Sequence, residues 1–137
     1  MKKIILSMLL LLLGLGTTSF ANTPSYNDVE GYYETVSLSE VMDILNKNKG
    51  TLLDVRNNDE VEKTGLVKGA KHIPLPELEK RLSELNKDET YITFCVSGNR
   101  SKKAAEILKK NGFKNVYNSK EGMSTWPYKD MVEPVKK

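Results

Sequence analysis

Hydrophobic positions fall into three kinds of run along this chain. The first is an almost unbroken apolar stretch, Ile4 to Leu15, interrupted only by Ser7 and Gly14. The second kind is short and dense: Thr51-Leu52-Leu53-Asp54-Val55, Tyr91-Ile92-Thr93-Phe94 and Asn115-Val116-Tyr117-Asn118. Apolar runs of this length with polar flanks suit strands of a parallel sheet buried on both faces. Tyr32 to Val36 suits a further short strand at an edge. The third kind is periodic. Leu38, Val41, Met42 and Leu45 recur at helical spacing behind Ser37-Leu38-Ser39-Glu40, which has the form of a capping box. Leu78, Leu82 and Leu85 recur likewise after Pro76, predicting a helix over 76–85. Ala104, Ala105, Ile107 and Leu108 predict one over 101–111, closed by Gly112.

Between these elements the chain is polar. Residues 56–63 read as a short acidic helix capped by Asn57 or Asn58, and residues 65–70 as a glycine-punctuated loop. Lys71-His72-Ile73-Pro74 reads as extended, because the residue before a proline is biased away from the helical region. Glu121 to Trp126 reads as a last short helix, stopped by Pro127, and 129–137 as a frayed polar tail. Strands and helices alternate through short connections. The expected fold is α/β, with a mainly parallel sheet and helices on both faces.

The ends and the composition refine this picture. Lys2-Lys3, the apolar run, and small residues at Ser19 and Ala21 have the layout of an export signal over 1–21, with cleavage before Asn22. A membrane anchor is the alternative, but spanning takes roughly 20 apolar residues. Residues 22–35 read as a flexible leader. The tyrosines at 26, 32 and 33 are expected to pack where the chain enters the domain, with a partner surface as the alternative. The remaining chain suits one domain, over 36–128. The protein is expected to work outside the cytoplasm, periplasmic or secreted, as a monomer not inserted in a membrane. Of the net charge of +3, two units come from Lys2 and Lys3. The rest is near neutral, which offers no basic patch for nucleic acid.

Cys95 is the only cysteine. Exported proteins usually pair their cysteines, so a single one is either reactive, joined to another chain, or an inert buried hydrophobe. Its position favours reactivity. It ends a predicted central strand and precedes the loop Val96-Ser97-Gly98-Asn99-Arg100-Ser101 and a helix. In parallel sheets ligands sit at such carboxyl ends. Gly98 permits a tight turn, and successive N–H groups near a helix start stabilise an anion. A thiol there is expected to ionise more readily than a free one. Arg100 adds planar donors suited to oxyanions, and Lys102 and Lys103 add positive potential. His72, the only histidine, is expected to make a structural hydrogen bond rather than serve the cysteine. The sequence offers neither the ligands of a zinc site nor a Cys-x-x-Cys pair, and no cofactor is expected.

These residues resemble the rhodanese-like domain, in particular its small exported single-domain sulfurtransferases. The resemblance runs from about Val36 to Pro127. It rests on Leu53-Asp54-Val55-Arg56 with the acidic segment after it, Gly69-Ala70-Lys71-His72-Ile73-Pro74, the Cys95–Ser101 loop, and Gly122 with Trp126. It implies a doubly wound fold and a Cys95 persulfide that takes the outer sulfur of thiosulfate and yields it to cyanide or a thiol acceptor. It also implies that the amides of Val96, Ser97, Gly98, Asn99, Arg100 and Ser101 cradle that sulfur, while Arg100 orients the donor and steadies departing sulfite. Asp54 and Arg56 fall at positions read as structural support, with Arg56 expected to pair with Glu60 or Glu62. Trp126 is expected in the core. Glu121 stands where the family usually has a first glycine, which leaves the local turn open.

Two rival readings remain. Phosphatases of related fold space cysteine and arginine as Cys-x5-Arg, whereas Cys95 and Arg100 are spaced Cys-x4-Arg, a smaller ring suited to one sulfur atom. A non-catalytic persulfide carrier or docking module for another exported protein would use the same loop.

Overall fold

The computed structural model describes residues 32–135. The expected signal at 1–21 and most of the leader, with Tyr26, lie outside the described residues. The main sheet has five strands, β1 (Glu34–Val36), β2 (Thr51–Asp54), β4 (Lys71–His72), β5 (Thr90–Phe94) and β6 (Asn115–Ser119), in the order β1-β6-β5-β2-β4. All four neighbouring pairs are parallel. β5 sits at the centre, aligned Leu53↔Thr93 with β2 and Thr93↔Asn118 with β6.

Successive strand residues point to opposite faces, which divides the core in two. Leu53, Tyr91 and Val116 face one cluster with Ala104, Ala105 and Leu108 of helix α3 (Asn99–Lys110). Leu52, Ile92 and Phe94 face the other with Val41 of helix α1 (Leu38–Asn46), Met123 and Trp126. Helices therefore cover both faces, as the alternation of runs predicts. The Ser37 capping box forms, with Glu40 Oε2 accepting from Ser37 N–H at 2.8 Å. Tyr33 packs against the first cluster. Trp126 is fully buried, edge-on to Phe94 at 5.5 Å between centroids.

Three expectations need correction. The helix over 76–85 is instead two 3-10 segments, Leu75–Glu77 and Glu79–Glu84. Pro74 caps the first and Pro76 lies within it, and Arg81 at φ −114, ψ 16 breaks the regular coil. Leu75, Leu78, Leu82 and Leu85 reach the same core cluster, and their spacing fits three residues per turn as well as 3.6. The last short helix is likewise one 3-10 turn, Met123–Thr125. The tail is not frayed at its start. Val132–Glu133 form β7, antiparallel to β3 (Leu66–Val67), inside the segment read as loop.

Candidate functional site

The site lies where β5 ends. Cys95 follows the last strand residue and is 1% exposed. Gly98, at φ 97, reverses the chain so that α3 can start at Asn99, two residues earlier than its apolar spacing indicates. That left-handed turn favours glycine, and a Cβ there would also lie 2.9 Å from the Lys120 carbonyl.

The reversal aims main-chain donors at the sulfur. Gly98 N–H donates to Cys95 Sγ at 3.1 Å. The thiol in turn donates to Ser101 Oγ at 3.5 Å, and that hydroxyl donates to the Gly98 carbonyl at 3.0 Å. Burial pushes the Cys95 thiol up. The Ser101 hydroxyl and the N–H groups of Ser101, Gly98 and Ser97 together outweigh it, and the thiol titrates below its ordinary value. Ser101 is fully buried, whereas Ser97 and Asn99 expose their side chains.

Arg100 does not stand free. It forms a two-pronged ion pair with Glu60, Nη1 to Oε1 at 2.6 Å and Nη2 to Oε2 at 2.8 Å. Glu60 belongs to helix α2 (Asn58–Thr64) and also accepts from Asn57 N–H at 3.1 Å. The hydrogen bond from Arg100 is the main reason that the Glu60 carboxyl titrates at about 2. Arg100 is held above its usual range by the same carboxylate, with the Cys95 sulfur adding to it.

Arg56 pairs with neither Glu60 nor Glu62, which corrects the expectation. Its guanidinium is buried against Asp54, Nη2 to Oδ2 at 2.7 Å, and donates to Thr64 Oγ1 at 2.6 Å and the Gly65 carbonyl at 2.7 Å. Asp54, two residues back, also accepts from Arg56 N–H, and with Thr64 and Gly65 it takes up the guanidinium in place of either glutamate. The pair thus ties the end of β2 to the end of α2, beside the loop. His72 Nε2 lies 2.7 Å from the Arg56 carbonyl, which only accepts, so the ring nitrogen donates there.

Behind the loop runs a segment whose role the sequence showed only as isolated residues. Met123 N–H donates to the Cys95 carbonyl at 2.9 Å, and Ser124 donates to the Val96 carbonyl through N–H at 3.2 Å and Oγ at 2.9 Å. A Cβ on Gly122 would sit 2.2 Å from the Cys95 carbonyl oxygen. This second position is the one that requires glycine. Glu121 is accommodated, its carbonyl accepting from Ser119 Oγ at 2.6 Å. Beside Val96 opens a cleft of about 310 Å³ lined by Arg56, Glu60, Lys63, Thr64, Val96, Met123 and Ser124.

A central parallel strand ending in one acidified cysteine, cradled by the amides of a short loop, defines a class of sulfur- or anion-handling α/β domains. The chain belongs to the rhodanese-like domain family, whose profile matches residues 37–128. It is 48% identical over 75 residues to a Bacillus subtilis protein named "Putative sulfur carrier protein YrkF", with 55% of this chain and 40% of that one covered. It is 28% identical over 94 residues to the thiosulfate sulfurtransferase GlpE of Coxiella burnetii, covering 69% of this chain and 87% of that one. A crystal structure of a rhodanese-like domain protein from Staphylococcus aureus superposes with a TM-score of 0.67 at 30% identity, covering 75% of this chain and 99% of the other. The chain spans 40% of the length of YrkF and 61% of that of a second Bacillus subtilis relative, YqhL.

Proposed function

We propose that this protein is a sulfurtransferase that carries sulfane sulfur as a persulfide on Cys95. The carrying observation is the cradle around the sulfur: Gly98 N–H donating to it at 3.1 Å, the Ser101 hydroxyl 3.5 Å away, and a thiol that titrates below its ordinary value. The thiolate attacks the outer sulfur of thiosulfate or a related donor. A Cys95 S–S bond forms, the donor's S–S bond breaks, and sulfite leaves with the bonding pair. On ionisation the Ser101 hydroxyl turns its proton from the Gly98 carbonyl to the sulfur. A thiolate already present needs no general base, which agrees with the commitment of His72 to a backbone carbonyl. In this reading Arg100, held by Glu60, frames the loop, and the amides of Val96 to Ser101 receive the transferred sulfur. Asp54 and Arg56 support the site from behind.

Incubation with thiosulfate followed by mass spectrometry tests the reading. One added sulfur atom is expected on the peptide containing Cys95, and none in Cys95→Ser, which should lose turnover and keep its fold. An unlabelled wild-type peptide, or turnover in Cys95→Ser, refutes it.

The name of the relative YrkF favours a second reading, a carrier that is loaded once and delivers to a partner. Stoichiometric loading without steady-state turnover to cyanide would select it. We further propose that the protein is exported, from the basic, apolar and small-residue layout of 1–21, and acts as a monomer with the domain spanning 36–128. Fractionation of cells with N-terminal sequencing checks the first, expecting Asn22. Light scattering checks the second.

A further inference from the structure

The cleft beside the loop has walls and charges that suit a particular partner for the persulfide. One of its two cations, and the arginine bound to its wall, are already engaged. Arg56 is enclosed by Asp54, Thr64 and Gly65, and Glu60 in the cleft wall holds Arg100 through both of its oxygens. Lys63 is the remaining cation of the lining. It is exposed, and it makes no ion pair among the described residues. It also lines, with Lys129 and Glu62, the neighbouring groove. The rest of the wall is the Val96 and Met123 side chains, with Thr64 and Ser124. A free inorganic anion finds little there: no unpaired guanidinium, and aliphatic surface that it cannot use. An organic molecule with an apolar body finds surface to cover, and a carboxylate on that body finds Lys63.

We propose that this cleft is the acceptor subsite, and that it takes a small aliphatic thiol bearing a carboxylate, the carboxylate meeting Lys63. The inference rests on the persulfide reading above. The acceptor thiolate attacks the outer sulfur of the Cys95 persulfide. A new S–S bond forms on the acceptor, the Cys95 S–S bond breaks, and its electron pair returns to Cys95 as thiolate. The acceptor leaves as a persulfide, and no further oxidant or reductant takes part.

The test uses the full protein loaded with sulfur, and follows discharge by three probes: cyanide, 2-mercaptoethanol and 3-mercaptopropionate. Each thiol is compared at equal thiolate concentration. The expected result is that 3-mercaptopropionate discharges the wild type several-fold faster than 2-mercaptoethanol. Lys63→Ala should abolish that preference, and Lys63→Glu should reverse it. The preference is read as the ratio of the two thiol rates within each protein, and melting curves of both variants check that the exposed last turn of α2 keeps its fold. Equal rates for the two thiols in the wild type, or a preference that survives Lys63→Glu, overturn the subsite. If cyanide discharges the protein normally in that case, the persulfide reading stands without it. If no persulfide loads at all, both fail together.

Discussion

Replacing Gly122 with alanine probes how the site is held. The Gly122 backbone is extended, at φ −128, so its dihedrals suit any residue. The obstacle is contact. The added Cβ would lie 2.2 Å from the Cys95 carbonyl oxygen and 2.3 Å from that of Val96. Reaching 3.0 Å requires a displacement of 0.8 Å, and both neighbours are main chain. The bonds in the way are Met123 N–H to Cys95 O at 2.9 Å and Ser124 N–H to Val96 O at 3.2 Å. Leaving such groups unpaired costs roughly 1–3 kcal/mol each, so Gly122→Ala should lose about 2–6 kcal/mol. In a domain of this size that lowers Tm by on the order of 10 °C or more. Moving the Cys95 and Val96 carbonyls also disturbs the start of the loop whose N–H groups face the sulfur. The thiol should therefore titrate higher than in the wild type. Thermal melting gives the first number. The rate of iodoacetamide alkylation across pH gives the second. A melt within about 2 °C of wild type, roughly a fifth of the smallest expected shift, together with an unchanged alkylation profile, refutes the reasoning.

Three other perturbations bear on the same site. Ser101→Ala removes the donor that does most to lower the Cys95 thiol. Its alkylation midpoint should move up, and its rate at pH 7 should fall roughly tenfold, the worth of one charged hydrogen bond of about 1.5 kcal/mol. Asp54→Asn leaves the Arg56 cation buried without its carboxylate. Urea unfolding should show a loss of about 3–5 kcal/mol, and Asp54→Asn with Arg56→Met should cost less than the two single losses added. Glu60 titrates at about 2 rather than 4.5, so its contribution to stability is complete above pH 4.5 and is lost as pH falls toward 2. With the side chain 29% exposed, that contribution is about 1–2 kcal/mol. Glu60→Gln should flatten the acid limb of stability. It should also lower the KM for thiosulfate, because Arg100 is released to a dianion.

The elements that carry the chemistry were legible because local physics fixes them. The short apolar runs marked β2, β5 and β6, and the lone cysteine before Gly98 marked the turn into α3. What escaped depends on contacts between distant segments. Nothing near Arg100 in sequence announces Glu60, forty positions earlier. The Asn57–Glu60 spacing advertises a helix start, and the same carboxylate serves both ends of that arrangement. Val132–Glu133 looked like tail because two residues make no pattern, and their strand exists only through pairing with Leu66–Val67. Leucines three and four apart satisfy either coil, so their spacing does not separate the 3-10 segments from an α-helix.

The cradle around Cys95 is drawn mostly in main chain, and this has a consequence for engineering. Three of the four groups that acidify the sulfur are peptide N–H groups. The Ser97 and Asn99 side chains point to solvent, and Val96 faces the cleft. A combinatorial library at 96, 97 and 99, with Gly98, Ser101 and Gly122 left alone, should keep the nucleophile while varying what reaches it. Selection from such a library would redirect the choice of sulfur partner without rebuilding the reactive centre.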